Sequence, residues 1–204
     1  KGAIGKLTGI PVDYYATVDI AGFVRVVDAL GGVTIDVPKP VATWLSPPAP
    51  GEDWAYYEIP AGRQHLNGHQ ALAYARSRTG TSDYDRMYRQ RCLLGALHRQ
   101  ADLPTLLLAF PALTEALKEA VRTDVPLDAL PQLAELALAV SPERIVAVGF
   151  VPPTYSSGWT AGRYPIPNMP LIQQAVAAAL SPGGPPAELA SARLDLPSAC
   201  AWQE

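Results

Sequence analysis

Apolar and polar positions at the start of the chain fall into a strand–helix–strand pattern. Tyr14 to Val18 is a short aromatic and branched run that predicts a strand. From Ala21 to Leu30, Phe23, Val26, Val27 and Leu30 recur at helical spacing, and Gly31 and Gly32 supply the stop. Val33 to Val37 sets Val, Ile and Val against Thr and Asp, which predicts a half-buried strand closed by Pro38. Between Pro38 and Pro60 the alternation gives way to Pro40, Pro47, Pro48, Pro50 and Gly51, with Trp44 and Trp54 among them. That stretch predicts a long surface excursion.

Helical spacing then returns. Asn67 with Gln70 three residues on is a capping box, and opens a short helix that runs through Ala71 to Tyr74 before reaching Arg76. Ser82 caps a longer helix with Asp83 and Asp85 in its first turn, where carboxylates favour the dipole; it extends to Arg99 or Gln100. Leu106 to Val121 and Leu127 to Val140 are helical, Ile145 to Val151 is a buried strand, and Met169 to Leu180 is a final alanine-rich helix. Pro182, Gly183, Gly184, Pro185 and Pro186 then mark a loose tail over residues 181–204, leaving one domain over residues 1–180. Helices mixed with a few separated strands predict an α/β fold or α+β sandwich.

Composition narrows the function. A net charge of −3 opposes a general nucleic-acid binder, which is normally basic. No run of about 18 uninterrupted apolar residues is present to span a membrane, so any anchor would precede Lys1. His65 and His69 stand four apart, a spacing that can hold a metal on a helix, but the cap at Asn67 falls between them.

Charge is concentrated in one place. Between Arg63 and Arg99 lie seven of the sixteen basic residues, all arginine, with only two of the nineteen acids. Two guanidiniums about 6 Å apart repel by roughly 3 kcal/mol at an effective dielectric near 20, so such a cluster either splays into water or holds an anion. Arginine suits phosphate because its planar fork makes paired hydrogen bonds. On a wheel of about 100° per residue with Arg86 at zero, Gln90 falls near 40°, Leu93 near −20°, Leu97 near 20° and Leu94 near 80°. Arg86 and Gln90 are thus expected inside the apolar stripe, with Asp83 one turn before Arg86 to orient it. If the chain is extended after Tyr74, Arg76 and Arg78 point to the same side.

These residues carry a resemblance. Leu66-Asn67-Gly68, Gln70 through Arg78 (QALAYARSR) and Asp83 through Gln90 (DYDRMYRQ) strongly resemble the signature of the LytR-CpsA-Psr family. Asp13-Tyr14-Tyr15 and Val26 through Val33 (VVDALGGV) are similar to it too, and the likeness runs from about Gly9 to Leu180. The resemblance implies a mixed central sheet flanked by helices, with an apolar tunnel for a polyprenyl chain and arginines gripping pyrophosphate at its mouth. It implies a phosphotransferase on the extracytoplasmic face of the membrane, moving a glycopolymer from polyprenyl pyrophosphate to a peptidoglycan hydroxyl. Arg76, Arg78, Arg86 and Gln90 match the family's catalytic, pyrophosphate-contacting positions; Arg89 takes a supporting role in substrate binding, and Asp83 stands behind them. Magnesium is expected for the complete domain, with its aspartate ligands upstream of the residues here.

The tunnel is expected between Phe23 to Leu30, Leu93 to Leu97 and the helices after Leu106. A bridge from Cys92, near 240° on the wheel and so off the stripe, to Cys200 is expected to pin the tail in that oxidising location. Two other functions stay open: a carrier of polyprenyl phosphate or glycopolymer without catalysis, and a transcriptional attenuator. The acidic net charge and the lack of a helix-turn-helix weigh against the attenuator.

Overall fold

The computed structural model describes residues 1–46, 51, 53–79, 82–100, 103–139, 146–181 and 193–195. In chain order the elements are α1 (Gly2–Thr8), β1 (Ala16–Val18), α2 (Ile20–Ala29), β2 (Val33–Val37), β3 (Val41–Leu45), β4 (Ala55–Ile59) and β5 (Gly62–Leu66). The helices α3 (Gly68–Arg76), α4 (Asp83–Gln100) and α5 (Leu103–Ala120) follow, then β6 (Val121–Thr123) and, after one turn of 3-10 helix, α6 (Leu130–Ala139). The described chain ends with β7 (Val146–Val148), β8 (Ser156–Trp159), β9 (Pro165–Pro167), α7 (Met169–Ala179) and β10 (Arg193–Asp195).

The α/β class is as expected, but the strands are arranged differently from a single mixed sheet. Among the described residues they form five two-stranded ladders, each antiparallel: β1–β6, β2–β5, β3–β4, β7–β10 and β8–β9. Two of these are one long bent hairpin. Val33 faces Leu66 and Val37 faces Gly62, while Val41 faces Ile59 and Leu45 faces Ala55. Pro38-Lys39-Pro40 on one side meets Pro60-Ala61 on the other, three residues against two. Prolines cannot donate to the ladder, so pairing lapses there and resumes one residue out of step.

The excursion expected between Pro38 and Pro60 therefore contains two strands. Its prolines hide the alternation of Val41, Thr43 and Leu45, all buried, with Ala42 and Trp44, both exposed. The residues 47–50 and 52 of that stretch lie outside those described. Ile145 and most of the predicted tail also lie outside them, although Arg193–Asp195 of that tail pairs with β7.

The main core lies between β2 and β5 of the hairpin and the helices α2, α3 and α4. Val27, Val33, Ile35, Leu66, Ala71, Tyr74, Cys92, Leu93 and Ala96 fill it. Alanines on α3 and α4 let their backbones approach closely. Asp28 of α2 accepts a hydrogen bond from the Gly68 amide at 2.7 Å, beside the reciprocal Asn67–Gln70 cap (2.9 and 3.0 Å), so three side chains serve the α3 N-terminus. Elsewhere α2 lies on α5 at Gly22, where a Cβ would come 2.0 Å from that of Ala120.

A smaller cluster joins Tyr155, Ile172 and Ala175 to Leu7 of α1. This explains α1, which its two glycines hid from the sequence pattern: tertiary packing on α7, with Gln173 Nε2 donating to the Lys6 carbonyl at 3.0 Å, outweighs poor propensity. Among the described residues no helix is long and apolar enough to cross a membrane.

Candidate functional site

The candidate site forms where α3 ends and α4 begins. The last carbonyls of a helix have no partner within it, and here side chains from α4 supply them. Arg89 donates from Nε to the Tyr74 carbonyl at 2.9 Å and from an Nη to the Ser77 carbonyl. Gln90 donates from its amide to the Ala75 carbonyl at 3.3 Å. The start of α4 is closed in turn by Ser82 and Asp85. The Ser82 amide and hydroxyl donate to the Asp85 carboxylate at 2.7 and 2.6 Å, and the Asp85 amide donates to the Ser82 hydroxyl at 3.2 Å. These bonds hold the Asp85 carboxyl below the usual carboxylate range.

Arg89 and not Arg86 is the inward residue. Arg89 is 5% exposed, and Cys92, Leu93, Gly95 and Ala96 are buried with it, while Leu94 is 58% exposed. The buried face of α4 is therefore turned about 100° from the centre of the expected stripe, to a line through Arg89 and Ala96. Its cause is size: the α3–α4 contact accepts cysteine, glycine and alanine, and Leu94 is left outside. Arg86 sits half-buried on the flank and Gln90 is exposed, so neither lies in the core. Cys92, placed off the stripe by the same wheel, is fully buried and disulfide-bonded. Cys200 lies outside the described residues.

The flank holds the charge constellation. Asp83 Oδ1 sits 3.0 Å from an Nη of Arg78 and 2.9 Å from an Nη of Arg86, so one carboxylate orders two guanidiniums. Arg76 is the last residue of α3 instead of the first of an extended run, and Ser77 turns inward between Arg76 and Arg78. Both arginines are exposed. Lys39, at the kink of the long hairpin, adds a positive charge near enough to lower the Asp85 pKa. Lys39 had no sequence signal, because only the bent hairpin brings it to α4.

Behind the arginines Tyr74 is fully buried, and its hydroxyl has no hydrogen-bond partner among the described residues. Burial pushes its pKa up to about 12, against the opposing pull of the Arg89 charge. A phenol that holds its proton more tightly when folded contributes full stability below about pH 10, where the unfolded phenol is still neutral. That contribution falls away as pH rises toward 12. Tyr74→Phe is therefore expected to lose about 2–3 kcal/mol less stability than wild type between pH 8 and 12, measured by urea unfolding at both pH values.

Two clefts are lined by described residues. One, of about 120 Å³, is lined by Leu7, Phe150, Tyr155 and Ile172; a broader one lies along residues 1–12. Neither runs between α2, α4 and α5. Among the described residues no three His, Cys, Asp or Glu side chains gather to hold a metal ion.

Comparison with known proteins places the chain among cell-wall proteins of one family. A model described as the LytR_cpsA_psr family matches residues 2–164. The chain is 40% identical over 128 residues to the cell wall biosynthesis protein LcpA of Corynebacterium glutamicum, a match covering 62% of this chain and 23% of that protein. It is 33% identical over 131 residues to the polyisoprenyl-teichoic acid–peptidoglycan teichoic acid transferase TagU of Halalkalibacterium halodurans, covering 61% and 38% respectively. The match thus spans between 23% and 38% of the length of these relatives. The crystal structure of Bacillus subtilis TagV shares the fold with a TM-score of 0.58 at 22% identity, over 90% of this chain and 69% of that one. A LytR-Csp2A-Psr enzyme from Actinomyces oris matches with a TM-score of 0.50 at 24% identity, over 66% and 53%.

Proposed function

The chain belongs to the LytR_cpsA_psr family, and from that premise we propose that it carries the pyrophosphate-gripping part of a cell-wall phosphotransferase. Its donor is a polyprenyl-pyrophosphate-linked glycopolymer, its acceptor a peptidoglycan hydroxyl, and its place the extracytoplasmic face of the membrane. Relatives named as teichoic acid transferases support the class of reaction.

The observation that carries the reading is the sharing of Asp83. One carboxylate is shared by Arg78 and Arg86, two guanidiniums to one acid, and the positive charge left over suits a pyrophosphate diester. Asp83 fixes the forks of Arg78 and Arg86 before the ligand arrives, so little ordering remains to be done as charge develops on the transferring phosphoryl group. Gln90, tethered through one amide hydrogen, keeps its carbonyl and second hydrogen for the same ligand. On the same flank of α4, exposed Leu94 lies eight residues or about 12 Å beyond Arg86, which places apolar surface next to the charged grip as a prenyl pyrophosphate requires. No step is assigned to magnesium.

Arg86→Ala tests the reading. The Arg86–Asp83 pair is 29% and 54% exposed, so its loss should cost under about 1 kcal/mol of stability. Binding of farnesyl pyrophosphate, measured by calorimetry, should weaken by roughly 1.5–3 kcal/mol, or 10- to 150-fold. Lost stability with unchanged affinity would make Arg86 structural and overturn the assignment. Turnover of a lipid-linked donor by the full-length protein separates a transferase from a carrier.

A further inference from the structure

The outer face of the β3–β4 ladder carries a feature that the pyrophosphate reading does not use. Val41, Thr43, Leu45 and Ile59 point into the fold, so Ala42, Trp44, Tyr56 and Glu58 face solvent together. The register pairs Trp44 with Tyr56 and Ala42 with Glu58. A small residue therefore forms a floor, bounded along its own strand by an indole, across the ladder by a carboxylate, and diagonally by a phenol. Trp44 and Tyr56 are 63% and 53% exposed, their ring centroids are 5.4 Å apart, and their planes meet at 52°. Among the described residues Glu58 has no ion-pair partner.

We infer that this niche binds a small alkylammonium group. The tilt selects among ligands. A flat sugar stacks best on one ring or on coplanar rings, whereas these two half-exposed, mutually tilted rings beside Ala42 and Glu58 suit a compact cation lying against them. Glu58, across the ladder from Ala42 and without an ion-pair partner among the described residues, completes the charge match, and an apolar neutral ligand would leave it uncompensated. Such a group could be the quaternary ammonium of a choline-type substituent or the primary amine of a lysine-like side chain. The site is separate from the arginine cluster and stands or falls independently of it.

The test follows the Trp44 indole resonance by NMR, assigned through its loss in Trp44→Phe, while the full chain is titrated at constant ionic strength. Four probes are used: choline, acetyl-lysine amide, the uncharged choline isostere dimethylbutanol, and a chitooligosaccharide. At least one ammonium probe should shift the resonance with an affinity about fivefold or more above that of dimethylbutanol. The stronger of the two ammonium probes identifies the source. Glu58→Gln, a conservative change on an exposed strand position, should erase that preference while leaving the melting temperature unchanged. Equal response to the uncharged isostere, a response to the chitooligosaccharide alone, or no shift from any probe overturns the inference.

Discussion

Replacing Arg89 with alanine is expected to lower the stability of the fold by about 3–5 kcal/mol, more than any other change in the arginine cluster. The guanidinium is 5% exposed and serves two carbonyls of the α3 C-terminus, those of Tyr74 and Ser77. Alanine leaves both acceptors buried without these donors, and each such loss costs about 1–3 kcal/mol. It also opens a void beside Tyr74 and Cys92, which belong to the same core. Burial lowers the Arg89 pKa from its ordinary value, so some desolvation cost is recovered on removal, but guanidinium remains charged and the carbonyls are not served in its place. The melting temperature should fall by on the order of 10 °C. Arg89→Lys should recover part of the loss, since one ammonium lacks the fork that reaches two carbonyls. A fall of less than a few degrees for Arg89→Ala would show that water replaces the guanidinium.

Why Arg89 was expected in a supporting role and Arg86 in the core is a matter of how apolar faces are counted. The wheel gave weight to Leu93, Leu94 and Leu97 and none to Cys92, Gly95 and Ala96. In a close helix contact the small residues mark the buried line, and a charged residue on that line is buried for the carbonyls it serves. The four positions proposed to face the ligand, Arg76, Arg78, Arg86 and Gln90, were readable as a group because they lie within one turn–helix segment. What holds the start of α4 to the end of α3, the capping of α3 by Arg89 and Gln90, was not readable, since it depends on which carbonyls the helix end leaves open. The caps at Asn67 and Ser82 were readable because they are local. The long hairpin was not, because its prolines interrupt the alternation at the point where Lys39 is delivered to α4.

The other large effect is expected from a position with no chemistry of its own. Gly68 opens α3 directly against α2, where an added Cβ would lie 2.3 Å from the Val24 carbonyl oxygen and 2.8 Å from a Val24 methyl. The nearer atom belongs to the backbone of a helix, so no side-chain rotation relieves the clash, and α3 must move away from α2. Moving it stretches the 2.7 Å bond from the Gly68 amide to Asp28. Gly68→Ala is thus expected to cost about 3 kcal/mol, at the upper end for overpacking, despite the higher helix propensity of alanine. The displacement should reach function as well. α3 ends at Arg76, and its terminal carbonyls are the anchors of Arg89 and Gln90. A shift of α3 therefore disturbs the seating of α4, which carries Arg86 and Gln90, and farnesyl pyrophosphate affinity should fall about tenfold even below the melting temperature. Gly31→Ala, which meets no atom within 4 Å but sits at φ 79°, is the control. It should lose stability through backbone strain alone, by roughly 1 kcal/mol, and leave ligand affinity unchanged. Equal loss of affinity in both variants would trace the effect to general destabilisation and not to the seating of α3 on α2.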